Sequence, residues 1–305
     1  MKNLKSIAVS LLSLILFIPY GYLSARESVK IDLVGSYNGR DVHLFTLINK
    51  SNNVLKITNY GARIVRIEVS DRNRVKENGK SPAVKLSYKS PDMEEGFPGN
   101  VLIEVIYTWT DKNETGIDYK ATTDKKTVLN VTNHAYFNLR GAGNGNIFDH
   151  IMFINSSSFT PFNFVKIPTG EIRSVKGTPF DFTSPRKIGE KIGETYENAV
   201  FDGYDHNFVL TNKKKVDASV YEPESGRLME IITDQPGLQF YSGSGIAWKK
   251  SLTLGTKPSN TRSGFALETQ HYPDSPNHPE FPSTILEPGK SFNSRTIYRF
   301  SIRFK

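Results

Sequence analysis

The chain has 305 residues, no cysteine and a formal net charge of +8. Without cysteine there are no disulfides, zinc–thiolate sites or thiol catalysis, and scattered basic residues with no helix-turn-helix, zinc-finger or RNA-binding signature do not point to nucleic acid. The 19 Phe, 14 Tyr, 23 Gly and 16 Pro favour strands and turns over helices, and the length suits one large β domain.

Lys2 and Lys5 precede an apolar run from Ile7 to Ile18, followed by Pro19, Gly21, Ser24 and Ala25. A positive start, a short apolar stretch and small residues at its end predict a secretory signal peptide over residues 1–25. The expectation is a secreted or periplasmic protein with no stable membrane insertion after cleavage. An uncleaved membrane anchor is the alternative, although the run is short for a spanning helix. Residues 26–305 are then read as a single domain.

From Val42 onward, short apolar runs recur between turn signals. His43–Ile48, Val54–Tyr60 and the alternating Val65, Ile67 and Val69 come first. Asn73–Asp92 is polar and charged, with one strand-like run, Ala83–Tyr88, before a turn over Glu94–Asn100. Ile103, Val105, Tyr107 and Trp109 share one face by period two, and Tyr298, Phe300, Ile302 and Phe304 do so near the end. Lys187–Tyr196 is the best helix candidate, and it is short. Lys213-Lys214-Lys215 reads as a solvated turn. The pattern predicts an all-β, mostly antiparallel sandwich or barrel.

Several polar clusters interrupt this pattern. Glu268 sits inside the apolar run that opens at Ser263-Gly264-Phe265 and ends in a loop rich in Pro, Asp, Ser and Asn. A carboxylate delivered by a strand into a cleft loses solvation, and its pKa rises toward the range of a general base; a solvated or ion-paired acid is the other reading. His134 lies in Thr132–Leu139 beside Tyr136 and Phe137, a candidate proton donor next to rings that can stack on a sugar; a structural histidine fits the same pattern. Asp205 and His206 precede an apolar strand and suit either a metal or, through Asp205, hydrogen bonds to ligand hydroxyls. Gln239 is an amide among apolar and aromatic neighbours. No phosphate loop and no Ser-His-Asp order accompany them, and Gly141, Gly143 and Gly145 lack the strand-to-helix setting of a dinucleotide fingerprint. This inventory suits acid/base work on an uncharged polyol.

The same clusters, taken in order, resemble the aldose 1-epimerases (the galactose mutarotase family). The motifs are Thr58–Ala62, Gly96–Asn100, Thr132–Leu139, Ile167–Glu171, Gly177–Phe182, Gly203–Phe208, Pro236–Tyr241 and Leu267–Asn277 with Phe281-Pro282. The resemblance implies a large antiparallel β-sandwich of galactose mutarotase type and cofactor-free interconversion of the α and β anomers of free aldohexoses. It implies Glu268 as general base, His134 as general acid, and Asp205, Gln239 and Tyr136 at the sugar. The only partner it implies is a small aldose. No metal or cofactor is expected; calcium on clustered carboxylates is the minor alternative, and no loop has a dedicated calcium spacing.

The chain departs from that family between Asp71 and Gly96. A Gly-Arg…Asn-Arg motif and a Leu-His-Gly-Gly motif are absent, and Arg63, Arg66, Arg72 and Arg74 stand in other contexts. The expectation is a sandwich lacking several strands near residues 73–95, with exposed sheet edges. The segment between Trp248 and Thr261 is also atypical. A sugar-binding protein without catalysis, or a degenerate inactive member, is the alternative function.

Overall fold

A computed structural model describes residues 29–69, 81–197, 199–211, 215–245 and 261–303 of the chain. The signal-peptide reading, Arg72 and Arg74, most of the Lys213–Lys215 turn, and most of the Trp248–Thr261 segment lie outside the described residues. The chain divides into two compact units. One holds the described residues up to Thr127 together with Leu286–Arg295, and the other holds Val128–Ile285 and the residues from Thr296 onward.

The first unit is built from antiparallel strands. Val29–Tyr37, Arg40–Ile48, Val54–Thr58 and Arg63–Glu68 pair in sequence order. Ala83–Ser90, Val101–Trp109 and Glu114–Thr123 pair in a second sheet, which among the described residues ends at Ala83–Ser90. Alternation puts Leu47, Leu55, Ile57, Tyr107, Trp109 and Ile117 inside. The polar tips of the large rings find backbone partners. Trp109 Nε1 donates to the Asn53 carbonyl at 3.0 Å and Tyr107 Oη to the Ala62 carbonyl at 2.7 Å, as buried Trp and Tyr require.

The second unit is itself a two-layer sandwich. Its six-stranded sheet runs Arg173–Ser174, Ser158–Thr160, Asp205–Val209, Gly237–Tyr241, Phe265–Gln270, Tyr136–Phe137, antiparallel throughout. Arg186–Lys187, Ile151–Ile154, Ala218–Tyr221, Arg227–Thr233 and the second half of Ser291–Ile302 form the other layer. Tyr298 Oη donates to the Leu267 carbonyl at 2.9 Å, Thr269 and Thr296 share a hydroxyl contact of 2.6 Å, and the Phe137 and Tyr298 rings lie 5.4 Å apart. These contacts seal one face of the six-stranded sheet. Because side chains alternate across a strand, the residues one position along must face the other way, and that second face carries the site.

The all-β antiparallel class is as the sequence predicts, but some elements differ. Lys187–Tyr196 holds only a single 3-10 turn, Ile188–Glu190, between two-residue strands. The N–H groups of Ile188 and Gly189 donate to the His150 and Phe148 carbonyls at 2.9 and 3.0 Å rather than to carbonyls within a helix, and the approach is close enough that a Cβ at Gly189 would come within 2.6 Å of the Phe148 side chain. The strand Val29–Tyr37 lies before the first run singled out in the sequence. Its Ile31, Leu33 and Val34 side chains are exposed, so it carries no buried stripe of its own.

Gly237 faces a similar constraint inside the six-stranded sheet. A Cβ there would collide with the Asn207 amide oxygen, and would lie 2.9 Å from the Tyr272 ring and 3.0 Å from the Gln270 carbonyl. Gly237→Ala is therefore expected to cost about 1–3 kcal/mol through overpacking, read as a lowered midpoint in thermal or urea unfolding.

Candidate active site

Strand register assembles the site. Across the six-stranded sheet Thr160 pairs with Asn207, Asn207 with Gln239, and Gln239 with Glu268. One step along, Asp205 pairs with Tyr241, Tyr241 with Ala266, and Ala266 with Tyr136. Residues two apart share a face, so these two rungs set Asp205, Asn207, Gln239, Tyr241, Glu268 and Tyr136 on one surface. Ala266 is the small member of its rung, with Tyr136 and Tyr241 on either side. On the reverse face, Leu238, Phe240 and Leu267 go into the core.

Glu268 lies in a strand, Phe265–Gln270, buried at five of its six positions. Its side chain is 11% exposed, whereas that of His134 is 48% exposed. His134 Nε2 stands 3.3 Å from Glu268 Oε1. Burial is the main reason the Glu268 carboxyl is pushed up to about 7, and the negative charge of Asp205 adds to it. The His134 ring packs 4.9 Å from the Tyr136 ring, and Tyr136 meets Tyr241 edge-on at 6.3 Å. Asp205 Oδ1 accepts a hydrogen bond from Gln239 Nε2 at 2.9 Å. All five residues singled out in the sequence thus belong to one surface patch. Tyr241 and Asn207 join them, although neither carried a role in the sequence. Their only signal was membership of the Gly203–Phe208 and Pro236–Tyr241 motifs.

The reading of Asp205 and His206 as paired metal ligands does not hold. Neighbours along a strand point to opposite faces. His206 turns inward, stacked on Phe162 at 4.3 Å and packed on Phe180 at 4.3 Å. Burial, helped by the Lys166 charge, drives its pKa down to about 3. Its Nδ1 accepts the Asp205 backbone N–H at 3.2 Å, so it serves as a neutral core residue. Among the described residues no cluster of three His, Asp or Glu side chains is arranged to hold a metal ion.

Residues 74–299 match the family described as aldose 1-epimerase. The chain belongs to the aldose 1-epimerase family. It is 42% identical over 232 residues to the galactose mutarotase of Bos taurus, covering 75% of this chain and 65% of that protein. The chain therefore spans just under two thirds of the bovine relative's length. With the galactose mutarotase of Homo sapiens it shares 37% identity over 281 residues, covering 91% of this chain and 75% of the human protein. The crystal structure of galactose 1-epimerase from Lactobacillus acidophilus superposes with a TM-score of 0.76 at 19% identity, over 90% of this chain and 99% of that one. This likeness places the chain in the same fold as other aldose epimerases.

The raised pKa of Glu268 has a consequence for stability. A carboxyl that titrates near 7 when folded, against 4.5 as its ordinary value, binds more protons folded than unfolded between those pH values. Its favourable contribution is complete below about pH 4.5 and is lost as pH rises through about 7. Glu268→Gln removes this dependence. The variant is expected to exceed the wild type in stability by roughly 2–3 kcal/mol at pH 8 and to match it near pH 4.5, as read from urea unfolding at both pH values.

Proposed function

We propose that this protein is an aldose 1-epimerase that interconverts the α and β anomers of free aldohexoses such as galactose or glucose, without a cofactor. The observation that carries the reading is the His134–Glu268 pair, 3.3 Å apart, in a chain of the aldose 1-epimerase family. The hydroxyl oxygen O1 and the ring oxygen O5 of an aldose are both bonded to C1. A base for one and an acid for the other must therefore be close neighbours.

Glu268 takes the proton from O1 while His134 donates one to O5. The C1–O5 electron pair leaves with O5, a C1=O1 double bond forms, and the ring opens to the aldehyde. Rotation about C1–C2 presents the other face of C1. His134 then withdraws the proton from O5 as it attacks C1, and Glu268 returns its proton to O1. Both groups finish as they began, and no electron is gained or lost overall, so the chemistry needs no cofactor. A carboxyl titrating near 7 suits the base, since a proton acceptor works best with its pKa near the operating pH. Asp205 and Gln239, joined at 2.9 Å, suit sugar hydroxyls, and the Tyr136 ring beside His134 suits an apolar sugar face.

The test is polarimetry of freshly dissolved α-D-galactose and α-D-glucose. Decay to equilibrium faster than in buffer supports the reading, and decay at the buffer rate for both sugars removes it. The sequence of residues 1–25 supports the further proposal that the chain is exported, to the periplasm or beyond. Expression with and without these residues, followed by fractionation, checks that proposal.

A further inference from the structure

A cavity of about 130 Å³ opens beside the catalytic pair, on the Asp205 side. Thr160, Asn207, Gln239 and Asp205 line it from the sheet, and Phe162 and Lys166 line it from the following loop. Gln239 Oε1 and Asn207 Oδ1 are buried acceptors with no hydrogen-bond partner among the described residues, and Asn207 is 2% exposed. Among the described residues the one cation in the lining is Lys166, whose Nζ lies 3.6 Å from Asp205 Oδ2. An ammonium has three N–H donors and no acceptor, so this contact leaves donors over.

The loop that carries Lys166 is tightly tied. Asn163 Oδ1 accepts the backbone N–H groups of Val165 at 3.0 Å and Ile167 at 3.1 Å. The Lys166 N–H donates to the Asn163 carbonyl at 2.9 Å, and the Asn163 N–H to the Ile167 carbonyl at 2.8 Å. Phe162 and Pro168 bridge the base of the loop, and the Phe162 ring is anchored on His206. Lys166 itself takes a left-handed conformation, φ 62°, which favours glycine over lysine. The backbone thus sets the root of this side chain beside the cavity in spite of its own preference, and the side chain, 68% exposed, reaches Asp205 from there.

From this geometry we infer that Lys166 is a substrate-binding residue: its ammonium, seated against Asp205, donates to a hydroxyl oxygen of the aldose on the side away from C1. A sugar hydroxyl both accepts and donates. Such a group can take a hydrogen bond from Lys166 and give one to Gln239 Oε1 or Asn207 Oδ1, meeting the needs of both sides of the cavity at once. Asp205 balances the lysine charge, so the cavity fits a neutral polyol in preference to an anionic one. This inference rests on the mutarotase reading for the identity of the ligand and adds a contact to it.

Lys166→Met keeps the length of the stem and removes the donors; Lys166→Arg keeps them. In mutarotation of galactose, Lys166→Met is expected to raise KM about 10-fold with kcat within about twofold, a pattern of lost ground-state binding. Lys166→Arg recovers part of KM, and neither variant shifts the thermal midpoint. Calorimetry with 1,5-anhydro-D-galactitol, which cannot open its ring, should show the same 10-fold loss in affinity for Lys166→Met. Unchanged KM and affinity in Lys166→Met overturn the inference. So does a raised KM together with a lowered kcat and a lowered thermal midpoint that Lys166→Arg does not relieve, which would mark a structural role. If the wild type binds the anhydro sugar without accelerating mutarotation, the epimerase reading fails, and the calorimetric comparison decides Lys166 on its own. A wild type that binds no sugar overturns both.

Discussion

Glu268→Gln is expected to lower kcat for mutarotation by about 10²–10⁴-fold, the usual loss when one proton-transfer group is removed. The amide keeps the shape of the side chain and its place in the buried strand, but it cannot accept the O1 proton. KM should move little, since Asp205, Gln239 and the tyrosines remain. The substitution also takes a buried charge out of the sheet, so the inactive variant is the more stable one at pH 8. Loss of rate together with gain of stability separates a missing base from a damaged fold. A variant that is both slow and less stable at pH 8 would point to the latter. Initial rates by polarimetry and unfolding curves on the same preparations check both halves.

His134→Gln should cost a similar factor, about 10²–10⁴-fold in kcat, for the complementary reason. Glutamine can donate a hydrogen bond to O5 but cannot deliver the proton that lets O5 leave C1. His134 is far more exposed than Glu268, so this change leaves the core of the second unit alone and should barely alter stability. The two residues act on one bond-breaking event. The double variant is therefore expected to lose about as much as the worse single variant, since groups working as a unit are strongly non-additive. Independent losses that multiply would argue for two separate roles.

Different parts of this site were legible in the sequence for different reasons. Glu268 stood out because an acid inside an apolar strand is rare, and the strand Phe265–Gln270 buries it as expected. Its neighbours could not be found by periodicity. Asn207, Gln239 and Glu268 meet because three distant strands pair in one register, and register depends on long-range packing rather than on a local pattern. Only the ordered motifs of the family resemblance linked them beforehand.

The period-two rule was already sufficient to separate Asp205 from His206. Once Asp205–Val209 is a strand, adjacent residues cannot share a ligand, and the aromatic cluster around His206 shows where the second one goes. Lys166 was invisible for the opposite reason. Its left-handed turn carries no glycine, and Asn163, which ties the loop, is a common residue with many uses. The absent Arg and His motifs left an expectation of exposed sheet edges. Ala83–Ser90 does end its sheet, and residues 70–80 before it lie outside the described residues.

The chemistry proposed here depends on Glu268 being a carboxylate that titrates near neutrality and takes the anomeric proton. The pH dependence of kcat/KM for galactose mutarotation tests this most directly, because it reports the essential groups of the free enzyme. Below an apparent pKa of about 7 the wild type should fall roughly tenfold per pH unit, and that acid limb should be absent from the residual activity of Glu268→Gln. A wild-type profile that is level from pH 5 to pH 8, on the order of the range a free carboxylate would allow, or an identical limb in Glu268→Gln, would contradict it.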